Sequence, residues 1–171
     1  MNEDIVQPTA STEATILAAR DSMPMILAEF AECESRFSER FYEIFFEARP
    51  DALPLFGLHS ITEQEEMIRE TFRSLLAWAE HQPWLESNLD ALGKSHWEYG
   101  VSADMYDSFV ETMLECGREL VGDSLDDARL LAMRIGLEAV VQPMREAGNA
   151  AAKNAANDAD SSSALLVNGS G

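Results

Sequence analysis

Apolar residues in this chain return every three to four positions, and a helix is the regular backbone that gathers such a pattern on one side. The stretch "RFSERFYEIFF" sets Phe37, Phe41 and Phe45 four apart, one stripe along a helix face. The same period holds from about residue 12 to residue 148. Strict alternation is absent and β-branched residues are few, so no strand is expected. The pattern predicts a single all-α domain over 12–148, with a flexible N-terminus at 1–11.

Punctuation divides this pattern into helices. Pro50 and Pro54 interrupt the first aromatic stripe and leave a short kinked passage carrying Leu53, Leu55 and Phe56. Ser60 with Glu63 three residues later reads as a capping box, behind which Ile61, Ile68, Phe72, Leu75 and Ala79 form an inward stripe. Pro83 suits the first position of the next helix, with Trp84, Leu85, Leu89 and Leu92 turned inward. After Gly100, Ser102 is placed to cap a long helix bearing Met105, Phe109, Met113, Cys116 and Leu120. "GDSLDD" then turns the chain into a last helix with Leu130, Met133, Leu137 and Val141 on its buried side. From Asn149 the composition is Ala, Asn, Ser and Gly with little to bury, which predicts a flexible, disordered tail over 149–171.

Charge narrows the partners. The 171 residues include 31 Asp and Glu against 12 Lys and Arg, a net charge of −19. Such a chain repels phosphate backbones and shows no basic stripe, so nucleic acid is not an expected partner. Charges interrupt every apolar run, which predicts no membrane span. The acidic start "MNEDIVQPTAST" does not read as a signal peptide, and Cys33 and Cys116 lack metal-ligand spacing, so a cytoplasmic location is expected.

Chemistry concentrates around one of the three histidines. His96 closes an apolar helix-like run, "LGKSHWEYG". Alone, a histidine there is more often a capping or dipole-stabilising residue than a ligand. His59 and His81 lie in polar, loop-like surroundings.

Four passages change the weight on His96: "RFYEIFFEARPDALPLFG", "ITEQEEMIRETF", "LGKSHWEYGVSADMY" and "IGLEAVVQPMRE". Together and in this order, over about residues 15 to 148, they resemble the globins, most closely the bacterial branch of flavohaemoglobins and single-domain haemoglobins. The resemblance implies a three-on-three helical sandwich around haem b. His96 would be the proximal metal ligand, a role that imidazole commonly fills in oxygen-binding haem proteins. Phe56 matches the phenylalanine packed on the haem face, and Tyr42, fourteen residues earlier, matches the distal tyrosine. Gln64, thirty-two residues before His96, falls where the family carries a distal glutamine. The span from Phe56 to Gln64 is about two residues shorter than the family pattern, so Glu63 and Glu66 compete for that place. An amide can donate a hydrogen bond to a bound gas and a carboxylate cannot, which favours Gln64. Ile68 would then form an apolar wall. Tyr106 and Glu146 match the tyrosine and glutamate that brace the proximal histidine, an arrangement that makes imidazole a more electron-rich ligand.

The implied activity is reversible binding of O2, NO and CO, extending to conversion of nitric oxide to nitrate. The sequence has no glycine-rich nucleotide loop, so an external reductase partner is expected for turnover. An alternative from another class is a haem-based gas sensor that signals through a partner protein. A third is a haem-free helical interaction module. His59 is the nearby histidine that could supply a second axial ligand.

Overall fold

The computed structural model of the chain describes residues 10–57 and 60–168, with side chains for 12–57 and 60–159. Within them the chain forms seven α-helices and no strand: α1 Ala10–Ala31, α2 Glu34–Ala48, α3 Leu53–Phe56, α4 Ile61–Ala79, α5 Leu85–Glu98, α6 Ala103–Val121 and α7 Asp127–Asn168. Single 3-10 turns, Pro50–Ala52 and Gly122–Ser124, lead into α3 and towards α7. None of the described helices is long and apolar enough to cross a membrane.

The α2 stripe does what its spacing demands. Phe37, Phe41 and Phe45 are all buried, and Phe37 meets Phe30 of α1 at 5.0 Å and Phe72 of α4 at 5.4 Å between ring centroids. Each such ring contributes about 1.5–3 kcal/mol by leaving water. α2 packs on α6 and α4, while α7 is the central strut against α5, α1, α6 and α4.

Two close crossings set the geometry of α7. A Cβ on Gly93 of α5 would stand 2.2 Å from the Met144 carbonyl oxygen, so only glycine permits that approach. Gly148, one turn on, comes so close that its own Cβ would lie 3.2 Å from the Gly93 carbonyl oxygen. The two backbones therefore touch three residues before His96.

Helix ends follow local chemistry with some departures. The Ser60–Glu63 capping box is formed in both directions, with the Ser60 N–H donating to Glu63 Oε2 at 2.6 Å. Ile61, expected inward, is 76% exposed because it is the first residue of α4 and precedes the packed turns. Trp84 is 40% exposed for the same reason: α5 starts at Leu85, and Pro83 sits in the turn before it. Ser102 occupies the N-cap of α6, but its hydroxyl donates to Asp104 instead of accepting a helix N–H. His81 ends α4 with φ of 55°, while the Gln82 N–H reaches back to the Ala77 carbonyl at 2.9 Å. That left-handed cap is usually glycine.

Over the stretch from Asn149, where a flexible tail is expected, α7 continues as helix to Asn168. Alanine-rich sequence favours helix without any packing. Residues 153–159 are nevertheless exposed, so this part of α7 adds little to the core. The N-terminal expectation falls mostly on residues 1–9, outside the described residues, and helix begins at Ala10. Both cysteines are free thiols. Burial pushes the Cys116 thiol up to about 12, leaving it inert at neutral pH.

Candidate functional site

An elongated cavity runs between α4 and α5, roofed by α2 and α3 and closed behind by α6 and α7. It holds about 1050 Å³ of empty space with its open mouth included, at the upper end of small-molecule sites. Its walls are mainly apolar: Phe41, Phe45, Leu55 and Phe56 above, Leu89, Leu92 and Met105 below, Val140 and Met144 behind. The charged side chain on the wall is Glu70, and it is paired with Arg73 and accepts from Asn88 Nδ2 at 3.2 Å.

His96 faces this cavity from the last turn of α5. Its Nδ1 lies 2.7 Å from the Leu92 carbonyl oxygen one turn back. A carbonyl only accepts, so Nδ1 carries the proton and Nε2 presents a bare lone pair. Burial lowers the imidazole's pKa against the opposing pull of the Leu92 carbonyl, so the ring is neutral at pH 7. Neutral, oriented and with one nitrogen free, it is in the state that ligates a metal. Among the described residues no three His, Cys, Asp or Glu side chains converge to hold an ion.

The opposite wall carries Tyr42. Its ring is buried against Phe41, Phe46 and Phe56, with centroids 5.1, 5.5 and 5.4 Å away. Burial raises its pKa, so the phenol keeps its proton and remains a donor. At present the hydroxyl donates to the Gln64 backbone carbonyl at 3.3 Å, a long bond that a better acceptor could displace.

Two of the solved structures that match share the fold of this chain. One is a flavohaemoglobin from Malassezia yamatoensis with bound FAD and haem, at TM-score 0.66 and 18% identity, covering 77% of this chain and 36% of its own. The other is a bacterial globin from Campylobacter jejuni, at TM-score 0.64 and 18% identity, covering 81% of this chain and 96% of its own. The chain has the globin fold. It spans about a third of the length of the flavohaemoglobin. No protein-family model matches the chain, and no curated protein matches it either.

The globin fold brings Tyr42, Phe56, Ile68, His96 and Tyr106 to one cavity. It does not bring Gln64 or Glu146 there. Gln64 is the fourth residue of α4; it offers Tyr42 only its backbone, and the cavity wall of α4 starts one turn later at Met67 and Ile68. Glu63 and Glu66, its rivals in register, are exposed and stay off that wall too, with Glu66 in ion pairs to Arg69 and Arg73. Glu146 is exposed on the outer face of α7 and accepts from Gln142 Nε2 at 2.8 Å. Its neighbour Arg145 turns inward instead, with its guanidinium 6.0 Å from the centre of the Tyr106 ring. His59 lies outside the described residues.

Four polar groups at the site went unnoticed at the sequence level. Three are Glu70, Thr71 and Ser74, which line the cavity from α4; Thr71 follows Ile68 by three residues, the spacing of one helix face, and that period was the available signal. The fourth is the Leu92 carbonyl that orients His96, a backbone group for which sequence carries no signal.

Proposed function

We propose that this chain holds one haem b between α4 and α5 and binds diatomic gases, O2, NO and CO, on the Tyr42 side of it. The observation that carries the reading is His96: a half-buried neutral imidazole, orientated through Nδ1, with Nε2 free in a large apolar cavity. The flavohaemoglobin neighbour, which has haem bound, supports the choice of group. The lack of a three-ligand cluster among the described residues also favours a metal carried by a macrocycle. Bound there, an iron porphyrin supplies an open metal position at which a diatomic gas can coordinate.

The chain's own residues do the rest. His96 grips the metal from the α5 side, and the Leu92 carbonyl keeps the ring from rotating. Phe56 and Ile68 keep water from the gas side. Tyr42 offers a permanently protonated hydroxyl to a gas with partial negative charge, a bond worth about 1.5–3 kcal/mol when the acceptor is charged. Such a donor slows release, which suits a reactive site better than a carrier. With oxygen as the gas, the accessible reaction is nitric oxide plus oxygen plus one electron giving nitrate, the electron coming from an external reductase.

The test is haem uptake. The purified chain titrated with haemin should develop a Soret band saturating at one equivalent, and His96→Ala should abolish it. A chain that takes up no haemin, or a His96→Ala variant that binds it unchanged, rejects the assignment. Rapid mixing of the oxygen-loaded form with nitric oxide should yield stoichiometric nitrate; slow decay without nitrate leaves gas binding but removes the conversion.

A further inference from the structure

The side of the cavity behind His96 carries a cation where the resemblance would have set a carboxylate. Tyr106 lies against His96, ring centroids 6.2 Å apart and planes inclined by only 29°. The Arg145 guanidinium lies over the same ring, 6.0 Å from its centre, and is anchored through Nη2 to the exposed Asp107 carboxylate. Among the described residues Arg145 Nε is the one buried side-chain polar atom with no hydrogen-bond partner. An unmet buried donor costs about 1–3 kcal/mol. Stability alone gives no reason for an arginine here; a methionine of similar length would fill the space without that cost. The exposed ion pair with Asp107 returns little.

We propose that Arg145 is a positioning and tuning residue: it holds Tyr106 over His96 and places a positive charge behind the metal ligand, favouring the reduced state of a metal bound there. The inference rests on the haem reading above. Its physical basis is Coulomb's law in a poorly solvated region: a cation stabilises the state of lower positive charge on the metal. With the His96 Nδ1 proton given to a neutral backbone carbonyl and Glu146 turned outward, no carboxylate makes the imidazole more anionic. Arg145 and His96 both lie against Tyr106, and the guanidinium is less exposed than the Asp107 carboxylate paired with it, so its positive charge is the less screened of the two. A site biased in this way holds a larger share of its metal in the gas-binding reduced form at a given potential.

The experiment compares the haem-loaded wild type with Arg145→Met, Arg145→Lys and Glu146→Gln by spectroelectrochemical titration and thermal melting. Arg145→Met should melt no lower than wild type, while its ferrous-to-ferric ratio at a fixed applied potential falls at least about twofold. Arg145→Lys, which keeps the charge, should restore the wild-type ratio, and Glu146→Gln should leave it unmoved. The inference is overturned if Arg145→Met unfolds or melts lower with an unchanged ratio, because the residue is then only structural. It is equally overturned if Glu146→Gln moves the ratio as far as Arg145→Met. A wild type that takes up no haemin is a separate outcome, seen before any variant is made, and removes the haem reading together with this one.

Discussion

The two walls of the cavity hold their candidate functional side chains by different means. On the α5 side His96 is fixed by its own helix, through the 2.7 Å bond to the Leu92 carbonyl, and that helix is fixed to α7 by backbone contact at Gly93. On the α2 side Tyr42 is held by three aromatic rings and one long 3.3 Å hydrogen bond. Ring packing restricts where a phenol lies but scarcely restricts where its O–H points. One wall is committed to a single geometry, whereas the other can answer to what enters. On the proposed reading, a metal ligand that must stay and a gas that must come and go call for that difference.

Disturbing the committed wall should have the largest effect. Gly93→Val forces a side chain into the Met144 backbone, where neither partner can yield, and should destabilise the fold by about 1–3 kcal/mol or more, read as a lower melting temperature. If Gly93→Val melts like wild type, the two helices are not locked and the contrast fails. On the adaptable wall the change should be functional. Tyr42→Phe preserves the aromatic packing and should speed release of oxygen several-fold in stopped-flow displacement by carbon monoxide; an unchanged rate removes the hydroxyl from the gas site.

The same residue should leave a mark on pH dependence. Its folded pKa is raised above the ordinary 10.0 by burial, so the stability of the protonated phenol is complete below pH 10 and is lost as pH rises beyond it. Urea midpoints should therefore fall above pH 10 less steeply in Tyr42→Phe than in wild type. The smallest effect is expected for Gln64→Leu, since only the Gln64 backbone reaches Tyr42. Its oxygen release should stay within about twofold of wild type. A larger acceleration would mean that the amide swings onto the wall when gas is bound, making the adaptable side still more so.

Much of this was legible in the residues. The four-residue spacing of Phe37, Phe41 and Phe45, the Ser60–Glu63 box and the proline break before Phe56 each made a local demand, and the fold meets it. The errors cluster at element ends. Ile61 and Trp84 belong to apolar stripes by spacing, yet stand where a helix has not reached the core. The stretch after Asn149 is legible in a different way: its composition leaves little to bury, and residues 153–159 of α7 are exposed.

Period, breaks and caps are properties of a few neighbouring residues, so the order of helices and the identity of the candidate imidazole were determined by the chain alone. Which of two adjacent side chains enters a cavity is not a local property. Arg145 and Glu146 are about 100° apart around α7. The rotation that brings the guanidinium to Tyr106 and sends the carboxylate to solvent is set by the crossing at Gly93 and Gly148. The same reason separates Gln64 from Ile68: one turn of α4 divides the end of the wall from its middle, and only the packed helices decide where that wall begins.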